Sequence, residues 1–183
     1  MRACLGRVLV VVMLFLNVPL VSAEEGAEEA RILVLMSYDA EDTWSQKMLR
    51  GLAAALDGVP HFRHVEFLDS RHCHGEEYFI LQHHLLEKKY TTYPPSLLVA
   101  GDDAAFTFLL EHRSHLDERL PLVFCGVNNF TAERLSGQER VTGVNEAVDI
   151  PGTVNLGLRL FPEVKRLVVV ASASGVGRIN LAT

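Results

Sequence analysis

The chain has 183 residues, 49% of them hydrophobic and 22% charged, with a formal net charge of −6 at pH 7. That size and apolar content suffice for a domain with a real core. The acidic balance argues against nucleic acid or anionic lipid surfaces as partners, and three cysteines are too few for a disulfide-dense scaffold.

Arg2 and Arg7 open the chain on positive charge, residues 8–18 form an almost unbroken apolar run, and Val21-Ser22-Ala23 precedes Glu24-Glu25. This is the order of a cleaved secretory signal peptide, residues 1–23, and a run of about eleven apolar residues is too short to span a bilayer, which takes roughly 20. The expected location is therefore periplasmic or otherwise extracytoplasmic. Cys4 lies before the run, so it is not a lipid-modified residue at a new N-terminus. Residues 24–30 read as a flexible charged lead.

A regular alternation follows. Residues 32–36 are a continuous apolar run, read as a strand buried on both faces. Trp44, Met48, Leu49, Leu52, Ala55 and Leu56 recur at helical spacing until Gly58 and Pro60. Residues 62–68 alternate as a second strand, residues 76–90 make a second helix stopped by Pro94-Pro95, and residues 97–100 make a third strand. Asp102 or Asp103 is expected to cap a helix carrying Ala105, Phe106, Leu109 and Leu110. Residues 122–124 form a fourth strand, a short helix is expected near residues 131–135, and residues 141–144 form an edge strand. Pro151 opens a further helix with Val154, Leu156, Leu158 and Leu160 as its apolar positions, and residues 167–170 read as another buried strand. The fold class is thus α/β, a doubly wound parallel sheet with helices on both faces. The end at Thr183, soon after the last expected strand, leads us to expect a partial protein with an incomplete second lobe.

Ligands of open parallel sheets bind beyond the carboxyl ends of the strands, where strand order reverses. Ser37-Tyr38-Asp39, Gly101-Asp102-Asp103 and Cys125-Gly126-Val127-Asn128-Asn129 occupy such ends, with Trp44 just beyond the first. Ser37 and Asn128 offer hydrogen bonds in both senses, Asp102 accepts strongly, and Tyr38 and Trp44 offer flat apolar faces. Gly101 and Gly126 permit close backbone approach. Each also has a plainer use: Asp102 or Asp103 as a helix cap, Trp44 as core, Gly126 as a turn residue.

The order Val34-Leu35-Met36-Ser37-Tyr38, Trp44, Leu49-Arg50-Gly51, Glu66-Phe67-Leu68-Asp69, Lys89-Tyr90 and Gly101-Asp102-Asp103-Ala104-Ala105 resembles ABC-transporter-type substrate-binding domains, which also serve as extracytoplasmic sensor regions. Val123-Phe124-Cys125-Gly126-Val127-Asn128, Thr142-Gly143-Val144, Glu146 and Phe161-Pro162 extend the resemblance across about residues 31 to 170. It implies a type I periplasmic-binding-protein fold: a first lobe over residues 31–149, then a crossover and the start of a second lobe over residues 150–183. It further implies ligand contacts from Ser37, Tyr38, Asp102, Gly126 and Asn128, with Glu146 at the hinge. A small-molecule ligand and a membrane permease or signalling protein are the implied partners.

Other constellations are weaker. Gly175-Val176-Gly177 lacks the third glycine of a dinucleotide fingerprint, since Asn180 stands there. His72-Cys73-His74 with His83-His84 invites a metal, but consecutive side chains diverge in an extended segment. A Cys73–Cys125 bridge needs Cα atoms within about 7 Å, whereas three strand spacings separate them by about 14 Å. No catalytic motif stands out, so the expectation is a binding protein without cofactor, metal or catalytic residues. A secreted α/β enzyme, a metal-binding protein and a non-functional fragment are the alternatives.

Overall fold

In a computed structural model, which describes residues 29–128 and 130–171, the apolar run after the charged lead becomes the centre of the molecule. This is β1 (Ala30–Met36), and residues 32–36 are buried throughout. It pairs in parallel with β2 (His61–Phe67) on one side and β3 (Leu97–Gly101) on the other. β4 (Leu122–Asn128) and β5 (Val141–Glu146) complete a five-stranded sheet of order β2-β1-β3-β4-β5. All neighbouring pairs are parallel.

Alternate side chains leave each strand on opposite faces, and both faces are covered. Ile32, Val34, Met36 and Val99 point towards α1 (Thr43–Ala55), meeting Trp44, Met48, Leu49 and Leu52. Leu33, Leu35, Leu98, Ala100, Leu122 and Phe124 point the other way, against Leu86 and Tyr90 of α2 (Glu76–Thr92) and Phe106 and Leu109 of α3 (Asp102–His112). The sheet is therefore doubly wound, as the alternation of the sequence implies. Truncating a fully buried leucine here, such as Leu33, removes a side chain whose loss costs about 2–5 kcal/mol.

α4 (Ser114–Asp117) continues α3 after Arg113. Arg113 is buried, and its guanidinium donates to the carbonyls of Leu120 and Glu139 and to Gln138 Oε1. That fork ties the α3–α4 corner to the segment entering β5. A 3₁₀ turn (Ala132–Leu135) stands where a short helix is expected. α5 (Ile150–Leu160) begins with Pro at its first turn and is capped by Asp149, whose Oδ1 accepts from Gly152 N at 2.8 Å.

Two expectations are corrected, and α5, although it forms as expected, leaves its apolar positions without a buried face. Residues 167–170 form no strand and are exposed, with Val170 at 92%, because no strand lies beside them among the described residues to cover their faces. α5 buries no residue. Its apolar positions recur every second residue, a step of about 200° around a helix, so they spread over two stripes and not one core-facing stripe. Finally, neither Asp102 nor Asp103 caps α3: the cap position belongs to Gly101, with no side-chain bond from it. The expected signal peptide and most of the charged lead lie outside the described residues, as does Gly175-Val176-Gly177.

Candidate functional site

The carboxyl ends of β1, β3 and β4 meet at one rim, and the site begins with how α3 starts there. Ser37 is fully buried after β1. Its Oγ donates to Gly101 O at 2.8 Å and accepts from Ala105 N at 2.8 Å. The hydroxyl thus sits inside the first helical hydrogen bond of α3, taking the place of a cap. Ser37 consequently forms the floor of the rim, not its lining.

The residue after Gly101 has an unusual conformation. Asp102 has φ of 72°, in the left-handed region that few non-glycine residues adopt. Such backbone strain persists where the surroundings over-determine it, often at functional sites. Asp102 is only 6% exposed, and its carboxylate accepts from Tyr38 Oη at 2.9 Å and from Asp103 N at 2.5 Å. Burial raises its pKa above the ordinary aspartate value, aided by the charges of Asp103 and Glu146 and opposed by its two hydrogen bonds. Burial, and then the Asp102 charge, likewise hold the Tyr38 phenol well above its usual pKa. Tyr38 is therefore a donor at neutral pH. A carboxylate has about four lone-pair positions, and these contacts use two, so Asp102 can accept further donors.

The aromatic wall is Tyr38 and Trp44, packed edge to face with ring centroids 6.3 Å apart. Trp44 lies against Gly126, where a Cβ would fall 2.4 Å from Trp44 Cζ2. Gly126 also has φ of 76° and sits at a β-bulge, where the pairing of β4 with β5 slips between Cys125 and Val127. Only glycine fits both demands. Asn128 is buried at the end of β4, and its backbone N–H and Nδ2 both donate to Asp103 Oδ2, at 3.1 and 2.9 Å. Asp103 is thereby a clamp between α3 and β4. Glu146 ends β5, paired with Asn128 and exposed. Its charge, after burial, raises the pKa of the half-buried Cys125, which stays a thiol.

Six of the seven residues singled out from the sequence, Tyr38, Trp44, Asp102, Gly126, Asn128 and Glu146, are thus brought to one rim, with Ser37 beneath it. Three others complete it. The loop after β2 carries Arg71 over the Tyr38 ring, 3.8 Å from its centroid, and pairs it with Asp42. Asp42 also caps α1, accepting from Ser45 N at 2.8 Å. Although burial pushes the Asp42 carboxyl up, the Ser45 N–H and the Arg71 guanidinium hold it below the usual range. On the far side Arg134 lies 3.6 Å from Asp103 and over the ring of Phe106. The signal for Arg71 was present in the rule of strand ends, since Asp69-Ser70-Arg71 follows β2 directly. Asp42 and Arg134 have no comparable signal, because their places depend on loop paths.

Cys73 and Cys125 are both free. His72 bonds Asp69 Oδ1 at 2.6 Å. The close groups of ligand-type side chains among the described residues are Asp39, Asp69 and His72 at the rim, and two groups that share His83, one with His112 and His115 and one with His84 and Glu87. The chain matches no known family model, no curated protein and no solved structure.

Proposed function

We propose that this rim binds a small organic solute carrying an amine or several hydroxyls beside a flat or apolar body. The observation that carries the reading is Asp102: a nearly buried carboxylate in a strained backbone, oriented by Tyr38 and the Asp103 N–H, with unused acceptor positions next to an aromatic wall. Donors on the solute satisfy Asp102, and Tyr38 and Trp44 cover its body. Further acidic groups around the rim, Asp39, Asp69 and Glu146, favour a cationic or neutral ligand over an anion. The resemblance to ABC-transporter-type substrate-binding domains agrees with this reading and adds an output, in which occupancy is passed to a permease or to a membrane signalling protein.

The test is a thermal-shift screen of the chain against amino acids, polyamines, nucleosides and sugars, followed by calorimetry on each positive. A hydrogen bond to a charged group contributes about 1.5–3 kcal/mol, so Asp102→Asn should weaken binding by about 10- to 100-fold. A well-folded sample that responds to none of these solutes, or a ligand indifferent to Asp102→Asn, refutes the proposal.

A further inference from the structure

We propose that His83, His112 and His115 form a binding site for a zinc-type divalent transition-metal ion, separate from the rim. The three imidazoles come from three helical elements: His83 from the middle of α2, His112 from the last turn of α3, and His115 from α4. One ring nitrogen of each lies within 4.8 Å of those of the other two. His83 is the hub, with ring centroids 4.5 Å from both His112 and His115. Tetrahedral zinc with bonds of about 2.0–2.1 Å requires ligand nitrogens roughly 3.3 Å apart, so closure asks for shifts of about an ångström, within the reach of side-chain rotation.

The local architecture favours such closure. α4 follows α3 with helical backbone at Arg113, so His112 and His115 stand three residues apart on one helical face. His83 is held with only 13% of its side chain exposed. Beside it is a cavity of about 10 Å³ lined by Leu33, Leu86, Phe108, Leu109 and Leu116. His83, Glu87 and His112 complete that lining, so the apolar side chains back two of the three rings. Glu87 places a carboxylate oxygen 4.0 Å from His83 Nε2, a carboxylate ready to act as fourth ligand or to orient a ring. Three imidazoles with one open position suit zinc, nickel or copper over calcium or magnesium, which prefer oxygen. Ten residues of α3 put the cluster about 15 Å from Asp102, so the two sites share no side chain.

The experiment uses the chain stripped with a chelator and titrated with cobalt(II), then zinc. One equivalent of cobalt should give the visible absorption of a tetrahedral site, and zinc should displace it and raise Tm by about 5 °C or more. His115 is exposed, so His115→Gln leaves the fold intact and should weaken binding at least about tenfold. His72→Gln, which dismantles the Asp39-Asp69-His72 group at the rim, should leave it unchanged. X-ray absorption at the zinc edge on the unmodified chain should count three imidazoles. Absence of a one-to-one site, fewer than three imidazoles, or binding lost in His72→Gln and kept in His115→Gln overturns the proposal.

Discussion

Gly126 is the residue on which most of the rim depends. Any side chain there would need a positive φ and would enter the Trp44 ring. Gly126→Ala is expected to destabilise the chain by about 1–3 kcal/mol, read as a lower denaturation midpoint. Part of that loss should return in the double variant with Trp44→Leu, since the two positions are in contact and their effects are coupled. Asp102 makes a prediction of the opposite kind. Its pKa is raised in the folded chain, so the folded state holds the proton more tightly than the unfolded one. Stability from this group is full at low pH and falls as pH rises from the ordinary aspartate value through the raised one. Asp102→Asn should flatten that part of the stability–pH curve, and a curve left unchanged would show that another group sets it. The sequence placed Asp102 at the rim through the strand-end rule. It gave no sign of the left-handed backbone, and the Ser37 hydroxyl that bridges Gly101 O and Ala105 N around it comes from 65 residues away in the chain.

At the scale of elements, the helices meet the rim by two different routes. α1 starts with a local cap from Asp42, and Asp42→Ala should cost about 0.5–2 kcal/mol while also releasing Arg71 from its partner. Cation–π contact between Arg71 and Tyr38 should then weaken, which fluorescence of the Tyr38–Trp44 pair can follow. α3 instead borrows its first hydrogen-bond partner from β1. Ser37→Ala leaves the buried Ala105 N–H without that acceptor, a loss of about 1–3 kcal/mol unless the helix tightens onto Gly101 O. Hydrogen exchange at Ala105 distinguishes these: rapid exchange marks an orphaned donor. A cap made within four residues, like that of Asp42 on Ser45 N–H, lies in the local sequence, although no cap was expected there. A cap supplied by another strand does not.

Across the whole molecule, the order of strands and helices was legible because each strand carries its own apolar run and each helix its own stops. β1, β3 and β4 read as continuous hydrophobic segments because they are interior strands of a parallel sheet. The same signal misled at residues 167–170, where an equally apolar run is exposed and has no strand beside it among the described residues. Apolar runs report a capacity for burial, and the partner that satisfies it must be found elsewhere in the fold. The histidine group was missed for a related reason. The sequence sets His72-Cys73-His74 beside His83-His84, whereas the rings that meet are His83, His112 and His115, from α2, α3 and α4. Their meeting follows from the right-handed crossovers that lay α2 and α3 on one face of the sheet.

The bulge at Gly126 also governs parity. Along β4 the even positions Leu122 and Phe124 enter the core beneath α3, yet beyond the bulge it is the odd position, Val127, that joins them. One extra residue has exchanged the roles of odd and even, leaving Asn128 free to reach Asp103. A regular ladder that kept all seven residues of β4 would therefore do more than relax a strained turn: every later side chain of the strand would be numbered onto the wrong face, with an amide driven into oil and a valine expelled from it.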